Sequence, residues 1–338
     1  MTTSKTATTG LFSQITGCLL AAALSLTASA NELPGQGIKV QFAKNFEAGE
    51  IFPTLLVMKA AERWGYEVLP WQEMSNPLIY ASVANGDVQV FAGYWDPLHI
   101  DNYKSIKGDT TLVKRGLYYT AGQGYLIDKK TADAYNISNI SQLRDPKIAK
   151  LFDVDGDGKA DLAGCEPGWG CEGMIEHHLT AYELRDTVTH HQGSYGPLIA
   201  DVITRFKAGQ PVLYYTWVPL WPSSIIKPGQ DAIWLEVPFS ATPGSRNDDT
   251  TLPNGKNYGF ASNKVHIIIN KAFADKHPDL VKLAELMKLP TADITAQNAL
   301  MANGQNSAAD IDRHTEAWIK AHQETFDGWL HAARAAAK

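Results

Sequence analysis

From Ile38 onward the chain alternates short runs rich in β-branched and aromatic residues with stretches whose apolar positions return every three or four residues. Ile38-Lys39-Val40-Gln41-Phe42 predicts a strand. From Ile51 to Trp64 the residues Leu56, Val57, Ala60, Ala61 and Trp64 share one helical face. Tyr66 to Trp71 reads as strand-like, Leu78 to Asn85 as helical and Val88 to Tyr94 as another strand. This βαβα opening is the pattern of a mostly parallel sheet with helices on its faces.

A second series begins at Gly124-Tyr125-Leu126-Ile127. It continues with a strand before Cys165, helices at Met174 to Leu184 and Leu198 to Ala208, and strands at Val212 to Tyr215 and Ile233 to Val237. Val265 to Ile269 is a further strand, and a helical tail follows in which Trp318 and Trp329 lie on apolar faces. At 338 residues the chain exceeds the usual size of one domain. The expectation is two α/β lobes, residues 31–119 with 268–338 and residues 120–267, the first closed off by the C-terminal segment.

The first 30 residues break the pattern. Lys5 is their only charge, and the apolar run Leu19 to Ala28 ends at Ala28-Ser29-Ala30, the small-x-small form of a signal-peptidase site. A cleaved leader and an exported chain are expected. Ile15-Thr16-Gly17-Cys18 resembles a lipoprotein box, but there the modified cysteine follows the apolar run, whereas here the run follows Cys18. Without the leader Cys165 and Cys171 remain, and an even count in an oxidising compartment predicts a disulfide. Closing so short a loop contributes roughly 2 to 2.5 kcal/mol in the chain-entropy treatment, so its better use is to fix backbone locally. A net charge of −6, with Lys and Arg scattered, leaves no footprint for nucleic acid.

In open α/β sheets ligands bind beyond the carboxyl ends of the strands. Three such exits carry a tryptophan: Trp95 in WDPLH, Trp169 in CEPGWGC and Trp217 in YYTWVPLW. Each lies within two residues of a proline or glycine. Trp64, Trp71, Trp234, Trp318 and Trp329 sit inside regular patterns and read as core, while Trp221 is either wall or backing. Indole faces without a nearby acidic clamp suit a quaternary ammonium, which has no N–H to donate and is selected by ring quadrupoles at about 2 kcal/mol or more per desolvated contact. Gly170-Cys171-Glu172-Gly173 runs into the predicted helix, whose free N–H groups favour an anion such as a betaine carboxylate, and His99 adds a donor.

Asp153-Val154-Asp155-Gly156-Asp157-Gly158 with Asp161 resembles the start of a calcium loop, but Gly164 stands where a bidentate Glu belongs, so an Asx-turn loop is expected and no metal is assigned. The pairs His177-His178 and His190-His191 read as solvated helix faces, and Glu172 as a carboxylate favoured by a helix N-terminus. No P-loop, nucleophile elbow or dinucleotide fingerprint is present, so neither a cofactor nor a catalytic residue is assigned. The rival from another class is an exported carbohydrate-binding protein or carbohydrate-processing enzyme using tryptophans as sugar platforms.

WDPLH, GCEPGWGCEG and YYTWVPLW, with GQGYLIDKKTA, LPNGKNYGF and the leader, resemble the periplasmic glycine betaine/proline betaine-binding proteins of the ProX type over nearly the whole mature chain. The resemblance implies a two-lobed, type II periplasmic binding protein that closes about a hinge and delivers osmoprotectants to the membrane permease of an ATP-driven importer. It implies that Trp95, Trp169 and Trp217 form a cage and that His99 with the backbone of Trp169, Gly170 and Cys171 holds the carboxylate. A monomer is expected.

Overall fold

The computed structural model describes residues 33–244 and 248–336; the predicted leader and Cys18 lie outside the described residues. Eleven strands are described: β1 Lys39–Val40, β2 Phe42–Lys44, β3 Glu67–Val68, β4 Gln72–Glu73, β5 Val90–Asp96, β6 Leu112–Asp128, β7 Ala160–Ala163, β8 Val188–His191, β9 Leu213–Val218, β10 Ala232–Trp234 and β11 Asn263–Asn270. β1 pairs with β3 alone. The others form one sheet in the order β4-β2-β5-β11-β6-β9-β7-β8, with β10 on the free side of β6.

Both flanks are parallel, β4-β2-β5 and β9-β7-β8, as the alternating pattern requires. The middle is antiparallel because β6 and β11 return through it. β6 does two jobs. Its first part, Leu112 to Ala121, pairs with β11, and its second part, Gly122 to Asp128, pairs with β9, with β10 alongside Leu126 to Asp128. One strand therefore threads both halves of the molecule. β11 pairs with β5 and with the first part of β6 along its length, so the expected division after residue 267 falls inside this strand.

The helix Ile51–Arg63 explains why the first half is rigid where it must be. Ten of its thirteen residues are buried, because it lies between the sheet and the C-terminal helix Ala308–Ala321. Burying each large apolar side chain of this kind contributes about 1.5 to 3 kcal/mol. Trp64 follows the helix fully buried, its indole N–H donating to Asp279 at 2.7 Å. Lys59 adds ion pairs to Asp312 and Glu316 on the tail. The helix Thr291–Ala302 touches both Ile51–Arg63 and the short helix Pro222–Ile225, so the tail spans the two halves. No described helix is long and apolar enough to cross a membrane.

Candidate functional site

β5 and β9 lie on opposite sides of the central pair, and each carries a tryptophan as its second-last residue, Trp95 and Trp217. Both chains then turn away at a cis proline bond, Asp96-Pro97 and Val218-Pro219. Trp169 is the residue before the helix Gly170–Ala181. The three indoles converge. Trp217 is the middle ring, 6.1 Å from Trp95 and 5.7 Å from Trp169 between centroids, edge-on to both. Tyr119 stands behind Trp95, and Tyr195 and Tyr215 behind Trp217.

Trp95, Trp169 and Trp217 line a cavity of about 340 Å³ with Asn45, Glu47, Glu50, Asn76, Leu98, His99, Cys171 and Tyr215. Trp221 is not among the lining residues; its indole lies at Glu47 and faces an outer groove, which makes it backing rather than wall. Of the rings expected in the core, Trp64 and Trp329 are buried, and Trp71, Trp234 and Trp318 pack partly buried against it.

The loop before the helix is built for close approach. Cys165 and Cys171 form a disulfide with their Cα atoms 6.1 Å apart. Gly168 adopts a positive φ of 85°, and its N–H donates to Glu172 Oε2 at 2.6 Å, which ties the loop to the first turn of the helix. A Cβ on Gly170 would fall 2.6 Å from the Leu98 carbonyl oxygen, so only glycine lets the WDPLH turn of one half seat against the helix start of the other. First-turn N–H groups of a helix have no partner four residues back, which leaves those of Gly170 and Cys171 available to an anion. The Trp169 N–H, grouped with them by resemblance, donates to Glu166 O at 3.1 Å within the loop.

His99 is 4% exposed. The Tyr80 hydroxyl lies 2.9 Å from its Nδ1, and the Trp95 N–H donates to the same atom at 3.4 Å. On the other side of the ring, Asn76 Nδ2 lies 3.3 Å from Nε2, so both ring nitrogens have polar neighbours. Burial lowers the His99 pKa to about 3, so the imidazole stays neutral and offers one N–H.

Two features depart from the sequence reading. The histidines are the first: His178, on the helix Gly170–Ala181, is fully buried rather than solvated, with its Nδ1 2.8 Å from the Tyr125 hydroxyl and its Nε2 2.9 Å from the Ala241 carbonyl. His190 and His191 lie on β8 and not on a helix. His190 backs the disulfide loop: Cys165 N–H donates to its Nε2 at 3.2 Å, and its Nδ1 meets Glu176 Oε1 at 2.7 Å. Second, the cavity does contain acid. Glu47 and Glu50 are both buried, and burial raises each pKa to about 7. Applying to β2 the strand-exit argument used for the tryptophans leads straight to Asn45-Phe46-Glu47 and Glu50. The Asp153-Asp161 loop is closed by its own backbone: Asp153 accepts from Gly156 and Gly158, and Asp161 from Val154 and Asp155. Asp153, Asp155 and Asp157 could group around an ion, as could Asp155, Asp161 and His191.

Residues 39–321 match the OpuAC family, described as the substrate binding domain of ABC-type glycine betaine transport systems. The chain belongs to this family. As an OpuAC protein it is the substrate-binding component of an ABC transporter and not an enzyme. It is 54% identical to the glycine betaine/proline betaine-binding periplasmic protein of Escherichia coli K12, over 93% of this chain and 96% of that one. It is 53% identical to the glycine betaine-binding periplasmic protein OusX of Dickeya dadantii, over 92% and 94%. Solved structures share the fold. Lactococcal OpuAC, closed with glycine betaine, matches with a TM-score of 0.65 at 20% identity, over 87% of this chain and 99% of that one. An ABC-transporter choline binding protein in complex with choline matches with a TM-score of 0.68 at 20% identity, over 88% and 97%. The fold is accordingly the two-lobed, type II periplasmic binding protein fold.

Proposed function

We propose that the chain binds glycine betaine and related quaternary ammonium zwitterions, proline betaine among them, and hands them to the permease of its importer. Trp95, Trp169 and Trp217 enclose the ammonium, while His99 and the N–H groups of Gly170 and Cys171 hold the carboxylate. The observation that carries this reading is the convergence of three indoles, from three separate segments, on one cavity that also holds a neutral histidine and a helix start. A cation that cannot donate a hydrogen bond is the head group such walls select.

The lobes in this reading are residues 31–119 with 268–338 and residues 120–267, joined by strand crossings such as β6. Closure brings WDPLH onto the Gly170 helix start. Residues 1–30 act as a cleaved export leader, and the mature receptor is a periplasmic monomer with no nucleic-acid partner.

The test is a titration of intrinsic fluorescence with glycine betaine, proline betaine and a panel of oligosaccharides. The betaines should shift indole emission in a saturable way, with the ligand recovered unchanged. A shift produced by a sugar and by neither betaine would overturn the assignment.

A further inference from the structure

Glu50 ends a short turn, Ala48–Glu50, immediately before the helix Ile51–Arg63, and it is 7% exposed. It lines the same cavity as the three tryptophans. Its Oε2 is buried without a hydrogen-bond partner, although the Trp95 indole N–H lies against the carboxylate and favours its charged form. The seat is shaped for this group. On β5, two residues before Trp95, a Cβ at Gly93 would fall 2.7 Å from Oε2, so any larger residue there would displace the carboxylate.

An unsatisfied carboxylate oxygen in a desolvated place is costly, and a fold keeps one where a ligand completes it. Lys44 is a nearby cation, but its ammonium is taken by Glu73 at 2.6 Å and by the Asn45 carbonyl. A quaternary ammonium in the cavity would offset the carboxylate through its charge alone, since it has no N–H to donate.

We propose that Glu50 is the counter-ion of the bound ammonium and sets the sign of head group that the cage accepts. This rests on the quaternary-ammonium reading of the site and adds to it a specificity determinant beyond the rings. Indole faces attract the methyl-clad cation, while the carboxylate also repels a ligand of the same shape without the charge.

The experiment compares glycine betaine with its carbon isostere, 3,3-dimethylbutanoate, in which a quaternary carbon replaces the nitrogen. Dissociation constants are measured for the wild type, E50Q and E50D. Glutamine keeps the shape and can still accept from Trp95, so loss of charge is the main change. E50Q should bind glycine betaine about tenfold more weakly and the isostere several-fold more tightly, while E50D, which keeps the charge, should keep most of the wild-type preference. Equal changes for both ligands, or no change for either, would overturn the counter-ion role. If wild type itself failed to prefer glycine betaine over the isostere, the cage reading would fall, and the counter-ion with it.

A second measurement serves if E50Q does not fold. The groups facing Glu50 are Lys44 and Glu47 from its own segment, Trp95 from β5, Tyr118 and Tyr119 from β6, and Tyr80 from the helix Asn76–Asn85. Burial pushes the tyrosines well above their usual range, and His99 stays neutral above about 3, so Glu47 is the group that titrates beside Glu50 near 7. In E47Q, glycine betaine affinity should therefore still rise from about pH 5.5 to about pH 8.5 as Glu50 ionises. A flat profile in E47Q would overturn the proposal.

Discussion

Trp95 and Trp169 are equally enclosed, each 7% exposed, yet they are held by different means. Trp95 ends a sheet strand, with Tyr119 edge-on behind it at 6.4 Å and the Glu50 carboxylate at its N–H. Trp169 stands in a disulfide-closed loop at a helix start, and its Nε1 has no protein partner. Sheet register and core packing fix the first wall. A covalent tie and a glycine-rich turn fix the second. A lesion on the Trp95 side should therefore cost more stability than one on the Trp169 side, while both should reach binding.

The largest effect belongs to the ring between them. W217A removes one cation–π contact of about 2 kcal/mol and leaves both neighbours without their edge-on partner, so calorimetry should show affinity down about a hundredfold. W95A and W169A should each weaken glycine betaine binding by roughly tenfold or more, the loss of one contact. They differ in stability, since W95A should lower the thermal midpoint more than W169A; equal midpoints would break the contrast.

C165S/C171S comes next. It should weaken binding about tenfold, by loosening the ring and the N–H groups of Gly170 and Cys171 together, while unfolding free energy falls by no more than roughly 2.5 kcal/mol. Unchanged affinity would confine the disulfide to stability.

The smallest effect is on the unliganded protein. Burial raises Glu50 from its ordinary 4.5 to about 7, so the folded state binds more protons than the unfolded state between those values. That contribution is whole below about 4.5 and is lost as pH rises through about 7. E50Q should therefore raise the melting midpoint at about pH 8, with the gain shrinking to nothing by about pH 4.5. A midpoint lowered at both pH values would show that Glu50 stabilises the empty fold rather than serving the ligand.

Much of this was legible in the chain. The period of Ile51 to Trp64 gave the helix Ile51–Arg63 to within a residue, and Val88 to Tyr94 gave most of β5. Trp95, Trp169 and Trp217 followed from asking what stands at strand exits. β6 was seen only at Gly124 to Ile127 because Lys114, Arg115 and the glycines at 116, 122 and 124 interrupt its alternation; pairing with β11 and β9 holds it straight. His190 and His191 misled because a four-residue edge strand is too short to declare a period, and their partners, Glu176 and Asp161, lie elsewhere in the chain. Glu50 was hidden for a similar reason. Ala48-Gly49-Glu50 carries no apolar period, and only the fold sets the Glu50 carboxylate against Gly93 and Trp95.

The central claim is that indoles from both halves of the molecule select a methylated, permanently charged nitrogen. Its most direct test is calorimetric titration of the mature protein with glycine, sarcosine, dimethylglycine and glycine betaine in turn. Affinity should climb with each methyl group and end at least about a hundredfold tighter for glycine betaine than for glycine, the sum of the ring contacts that only a methyl-clad cation makes. Glycine bound as tightly as glycine betaine would contradict the account.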